Sequence, residues 1–150
     1  MTIRVAVQHA PIDVAAALAG VEVSGAGGVA SFTGLVRADD GVTALELEHY
    51  PGMTEVVLRD LAEQAVARWS LLAVTIVHRV GPMTPGERVV FVAAAAAHRG
   101  PALEACGALI DRLKTDAPFW KREWRGDASN WVAPRAGDEM AAARWGGSGR

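Results

Sequence analysis

Hydrophobic positions along the chain switch between two periods, and the switches mark its elements. Ile3, Val5 and Val7 alternate with polar or small residues, the two-residue period of a strand. Pro11 to Leu18 suits a short helix with proline in its first turn. Val29 to Arg37 reads as a strand, and Gly34 within it marks a bulge or a close backbone approach. Val42 to Tyr50 alternates again, with Leu45 and Leu47 on one face and Glu46 and Glu48 on the other. The turn signal Asp39-Asp40-Gly41 between these two strands predicts an antiparallel hairpin, which Pro51-Gly52 ends.

A helical period follows. Thr54 is a capping residue, and Val57, Leu58, Leu61, Ala65 and Val66 form an apolar stripe on a helix to Trp69. Leu72 to Val80 is a strand rich in β-branched residues, and Gly81-Pro82 and Pro85-Gly86 bracket a connection. The next strand, Arg88 to Ala97, is apolar almost throughout, which predicts burial on both faces. His98-Arg99-Gly100 leads into a helix from Pro101 to about Asp116, and Pro118 blocks its continuation. Phe119 to Trp124 and Asn130 to Ala133 read as short edge strands around the turn Arg125-Gly126-Asp127. Gly137 to Trp145 suits a last helical turn or two, and residues 146–150 a flexible tail. Helices and strands mix without strict alternation. The expectation is one α+β domain over residues 1–145 with a largely antiparallel sheet.

Composition narrows the function classes. The 51% hydrophobic and 21% charged residues describe a globular chain that can bury a core without staples. The single cysteine, Cys106, excludes an intrachain disulfide and suits a reducing compartment. Met1 to Val5 lacks a secretory pattern, and the longest apolar run, Val89 to Ala97, is short of the roughly 20 residues that span a bilayer. These features predict a soluble cytoplasmic protein. Net charge is −2, so global electrostatics give no reason to expect nucleic-acid binding. Basic residues do cluster between His98 and Arg125, a local charge that suggests a small anionic ligand.

Two segments concentrate the chemistry. In Leu113-Lys114-Thr115-Asp116-Ala117-Pro118-Phe119-Trp120-Lys121-Arg122-Glu123, Lys114 ends a helix, where the dipole favours a cation. Pro118 then redirects the chain and brings Lys121 and Arg122 back towards it. Two adjacent lysines lower each other's pKa from about 10.4, so one can serve as base or nucleophile while the other stabilises an anion. A solvated helix-end cation and a snorkelling edge lysine would account for the same residues. In His98-Arg99-Gly100-Pro101, a strand end meets a helix N-terminus, which favours phosphate or carboxylate. Arg37 and His49 close strand ends that could border a cleft, whereas His78-Arg79 reads as structural. Cys106 reads as a buried, inert thiol. The sequence calls for no metal and no cofactor: its histidines form no ligand pair, one cysteine makes no zinc signature, and no glycine-rich nucleotide loop is present.

Four segments in order and spacing resemble the molybdopterin synthase catalytic subunit family: Phe32-Thr33-Gly34-Leu35-Val36-Arg37, Leu47-Glu48-His49-Tyr50-Pro51-Gly52-Met53, Ala97-His98-Arg99 and Leu113 to Glu123. The resemblance runs from roughly Val5 to Trp145 and implies an α/β hammerhead-like fold. It also implies a homodimer that binds a small ubiquitin-like sulfur carrier at each end, giving a heterotetramer. The carrier's C-terminal Gly-Gly thiocarboxylate would supply sulfur to convert cyclic pyranopterin monophosphate to molybdopterin. In that reading Lys114 and Lys121 are catalytic, Arg37, His98, Arg99 and Arg122 bind substrate phosphate or the carrier's terminal carboxylate, and some pocket residues come from the other protomer. The Arg37 to Val42 connection is short for the family, and Gly100-Pro101 replaces small hydroxyl residues that often follow His-Arg there. Gly146-Gly147 could mimic a carrier's end. Two alternatives use the same groove: a non-catalytic module that binds a ubiquitin-like carrier, and a simple small-anion binder.

Overall fold

The computed structural model describes residues 1–132. The helical turns expected over residues 137–145 and the tail at 146–150 lie outside the described residues. In chain order the elements are β1 (Thr2–Gln8), α1 (Val14–Ala19), β2 (Gly28–Leu35), β3 (Ala44–His49), α2 (Met53–Trp69), β4 (Ala73–Arg79), β5 (Gly81–Met83), β6 (Arg88–Ala96), α3 (Arg99–Asp116), β7 (Phe119–Arg125) and β8 (Ala128–Val132). A single 3-10 turn, Asp39–Gly41, precedes β3. They form two four-stranded sheets, ordered β1-β4-β6-β2 and β5-β3-β7-β8. Among the described residues, only the β1–β4 pair is parallel. This is the expected α+β class with largely antiparallel sheets.

The apolar run of β6 lies at the centre of the first sheet and is covered on both faces. Val92, Ala94 and Ala96 pack with Leu58 and Leu61 of α2 and Leu109 and Leu113 of α3. Phe91, Ala93 and Ala95 face Ile12, Ala17 and Val21 around α1. The alanines keep the strand thin, so helical layers approach it closely from either side.

Four strand and cap expectations need correction. β2 does not form a hairpin with β3; it pairs antiparallel with β6, while β3 pairs with β5 and β7. The Asp39-Asp40-Gly41 segment does turn, with Asp40 at φ 56° and Gly41 at φ 77°, but it carries the chain from one sheet to the other. The deciding factor is burial: Ala30 of β2 joins the core that β6 centres, and Leu45 and Leu47 join a separate cluster with Val36, Val80 and Met83. β7 is likewise no edge strand, since β3 and β8 flank it, and β5 was read only as a connection. Pro82 in β5 cannot donate to a ladder, which suits its place at the sheet's edge. Finally, α2 starts from Gly52, whose N–H donates to Glu55 Oε1 at 2.8 Å. Thr54 is buried instead, and its hydroxyl donates to the Tyr50 carbonyl at 2.8 Å.

Gly34 meets its expectation: the β2–β6 register shifts between Gly34 and Leu35, and a Cβ on Gly34 would lie 2.7 Å from Val90 Cγ1. Because β6 has helices on both faces, enlarging an alanine there has no direction in which to relax. Ala94→Leu is expected to cost about 1–3 kcal/mol of stability. Its denaturant midpoint should fall well below that of a Val29→Leu control, where the side chain is partly exposed.

Candidate active site

Between the two sheets lies a cavity of about 890 Å3, lined by β2, the 36–42 connection, β3, β6, the end of α3 and β7. Strand alternation decides what faces it. In the β3–β7 register, Leu45, Leu47 and His49 stand opposite Glu123, Lys121 and Phe119. Leu45, Leu47, Phe119, Lys121 and Glu123 line the cavity, and Lys114 enters it from the last turn of α3. Ala117 closes that helix through its N–H to the Leu113 carbonyl at 3.4 Å, and Pro118 turns the chain into β7. The two lysines expected to converge do border the same space.

Arg37 also borders it, and its Nε lies 3.2 Å from Asp39 on the exposed connection. Arg122 does not. It sits one residue out of phase with Lys121, on the opposite face of β7, where its guanidinium lies 4.3 Å from the Trp131 ring and 4.0 Å from Glu46. His98 and Arg99 are exposed at the other end of α3. At 1.5 Å per residue, Arg99 and Lys114 stand about 22 Å apart along the helix axis. Within one chain they cannot touch the same small anion, so the expected convergence of His98 and Arg99 with Arg37 and the lysines is not found in a single copy.

The structure adds a residue that sequence reading set aside as structural. His78, in β4, lines the cavity, and its ring stacks on Phe119 with centroids 4.0 Å apart. Its Nδ1 donates to the Arg79 carbonyl at 2.9 Å. Burial pushes its pKa down from 6.5 to about 4, against the pull of that hydrogen bond, and positive charge at Lys114 and His49 adds to the lowering. The imidazole is therefore neutral at physiological pH. A histidine in an otherwise apolar strand was the available signal. Arg79 has the structural role expected: it is buried, donates twice to the His9 carbonyl, at 3.2 and 3.1 Å, and pairs with Glu87 at 2.8 Å. Burial pushes the Cys106 thiol up to about 11, as befits an inert thiol.

The family model described as MoaE protein matches residues 7–116 of this chain. The chain belongs to the MoaE family. A relative named molybdopterin synthase catalytic subunit, from Caulobacter vibrioides, is 52% identical over 133 residues, 88% of this chain and 87% of its own. Among solved structures, molybdopterin cofactor biosynthesis protein E from Burkholderia multivorans is 46% identical with a TM-score of 0.84, covering 97% of this chain and 98% of that one. Molybdopterin synthase from Staphylococcus aureus is 32% identical with a TM-score of 0.80, covering 85% and 95%. The MoaE model match ends at Asp116, just before the Pro118 turn that brings Lys121 to the cavity.

The neutral imidazole has a measurable consequence. Between pH 6.5 and about 4 the unfolded chain binds a proton at His78 that the folded chain refuses, so stability falls as pH drops through that window. Glu87 acts lower down: the Thr84 backbone N–H, then Arg79, hold it near 2, so its contribution is lost only as pH falls from about 4.5 towards 2. Unfolding midpoints measured across the upper window should fall less steeply in His78→Asn, whose amide does not titrate. An unchanged slope would place the acid sensitivity in another group.

Proposed function

We propose that this chain is the catalytic large subunit of a molybdopterin synthase. It converts cyclic pyranopterin monophosphate to molybdopterin, using sulfur from the C-terminal thiocarboxylate of a small ubiquitin-like carrier. The observation that carries this reading is the meeting of Lys114 and Lys121 on one cavity in a chain of the MoaE family. A relative named as a catalytic subunit also supports a partner protein. No helix among the described residues is long and apolar enough to cross a membrane, and Cys106 is a buried free thiol; we place the protein in the cytoplasm.

Both reactants are anions, and the cavity has the cations to bring them together. Lys114 has no salt bridge or hydrogen bond among the described residues, so its ammonium is available to the carrier's thiocarboxylate. In this reading it holds that tail and moves a proton as sulfur leaves it. Lys121, fixed by the β3–β7 ladder opposite Leu47, stabilises negative charge that develops at the pterin. A cation placed where charge grows lowers the barrier more than one that merely binds the ground state. Arg37 would exchange Asp39 for the substrate phosphate. Arg122 braces β3 against β7 and β8 in this reading, through Glu46 and Trp131.

His98 and Arg99 enter through symmetry. We place them in the cavity of a second copy, across a homodimer that binds one carrier at each end. An isologous dimer repeats every contact, so two distant ends of α3 can complete two identical sites.

Purified protein mixed with thiocarboxylated carrier and cyclic pyranopterin monophosphate should form molybdopterin, read by mass spectrometry. Lys114→Ala and Lys121→Ala should each lower the rate about 100-fold or more while carrier binding persists. Full activity in both would refute the assignment, and carrier binding without product would favour a non-catalytic carrier-binding module.

The shared site has its own test. Lys114→Ala and Arg99→Ala proteins, each inactive, should regain about a quarter of wild-type activity when unfolded together and refolded as a mixture, because half of the dimers then hold one intact site. No recovery would return His98 and Arg99 to a separate role.

A further inference from the structure

The cations of the cavity account for binding anions, and none of them reads the heterocycle. His78 offers an uncharged acceptor in the cavity wall, apart from the carboxylates of Asp39, Asp40 and Glu123 that also line it. Its Nδ1 hydrogen is committed to the Arg79 carbonyl at 2.9 Å, and a carbonyl can only accept, so the neutral ring carries its lone pair on Nε2. Phe119 stacks on the ring at 4.0 Å and 24°, the Nδ1 hydrogen bond ties its edge, and β4 is itself paired with both β1 and β6, so the imidazole does not turn freely. No described group donates to Nε2. No fully buried side-chain nitrogen or oxygen is left without a partner, so Nε2 opens on the cavity.

We propose that His78 is a substrate-binding residue whose Nε2 accepts a hydrogen bond from a ring N–H or amino group of the pterin, an inference that rests on the function proposed above. A lone pair repels phosphate and attracts an N–H donor, which separates His78 from the cationic set in what it recognises. Val90, Val92 and Leu113 line the same cavity and suit the faces of a flat heterocycle. Little water competes for a hydrogen bond on such a surface, so the acceptor discriminates well there. Two other titratable groups bear on the imidazole: Lys114 from α3 and His49 from β3. His49 is engaged elsewhere, with Nδ1 3.0 Å from the Thr54 hydroxyl. Lys114 is the other of the two, and the proposed function assigns it to the carrier tail.

The test compares binding of two probes, cyclic pyranopterin monophosphate and inorganic phosphate, by titration calorimetry. His78→Asn keeps an amide donor near the Arg79 carbonyl and removes the acceptor at the Nε2 position. It should weaken pterin binding about 10-fold while phosphate affinity stays at the wild-type value, which also reports an intact fold. His78→Gln, whose amide oxygen reaches towards the Nε2 position, should regain part of the loss. Unchanged pterin affinity in His78→Asn overturns the proposal, as does a parallel loss for both probes, which would mark a structural role. A fall in kcat at unchanged pterin affinity also overturns it, and assigns His78 to positioning Lys114. Wild-type protein that binds phosphate but not the pterin would instead sink the function reading on which this inference stands.

Discussion

The small apolar cluster of Val36, Leu47, Val80 and Met83 joins the two sheets, and the site depends on that joint. Val36 follows β2 and Val80 separates β4 from β5, so the chain crosses between sheets at both positions. Backbone hydrogen bonds pin each crossing: the Val36 N–H donates to Glu87, the Gly86 N–H to Val36, and the Val80 N–H to Gln8. Burying these side chains removes both sheets' inner faces from water at one end only. Val36 and Leu47 of the cluster also line the cavity, so the joint forms part of its wall. Without this joint, Lys121 on the second sheet and Lys114 beside the first would have no fixed separation.

The legible parts of the sequence were those where a periodic pattern meets a single burial environment. The apolar run of β6 announced two-sided burial because no solvated face interrupts it. Gly34 announced a close approach because a side chain there has no room beside Val90. The lysine pair was legible through Pro118, which forces a return of the chain after a helix ends. The failures share a cause too. Alternation in β3 says that one face is apolar, but not which sheet covers it, and a turn signal alone does not decide which strands pair. β5 was hidden because three residues containing proline carry no period. Arg122 was grouped with Lys121 by adjacency, although neighbours on a strand face opposite ways. Charge along the sequence also does not show that a helix of 18 residues holds Arg99 and Lys114 at opposite ends.

Those last two placements clarify how the cationic site is built. Linear clustering of basic residues from His98 to Arg125 suggests one patch, yet the fold spreads them over two ends of α3 and two faces of β7. Of the basic residues on β7, Lys121 lines the cavity and Arg122 does not. Arg122, out of phase, meets Glu46 and two tryptophans and holds the outer face together. A single chain therefore offers fewer cations to its cavity than its sequence suggests. The symmetric dimer proposed here supplies the remainder without lengthening the chain.

The neutral histidine belongs to the same economy of charge. A protonated His78 beside Lys114 would add a second cation to a poorly solvated wall, and desolvation makes that unfavourable. The fold keeps it neutral by burial and uses the Arg79 carbonyl to choose the tautomer. Arg79 is in turn held by the His9 carbonyl and Glu87, so the orientation of the imidazole is anchored outside the cavity altogether. That separation lets the wall combine cations for charge with an uncharged acceptor for shape. A ligand that is an anion at one end and a donor-bearing heterocycle at the other satisfies both, and neither a bare phosphate nor a carboxylate tail alone does.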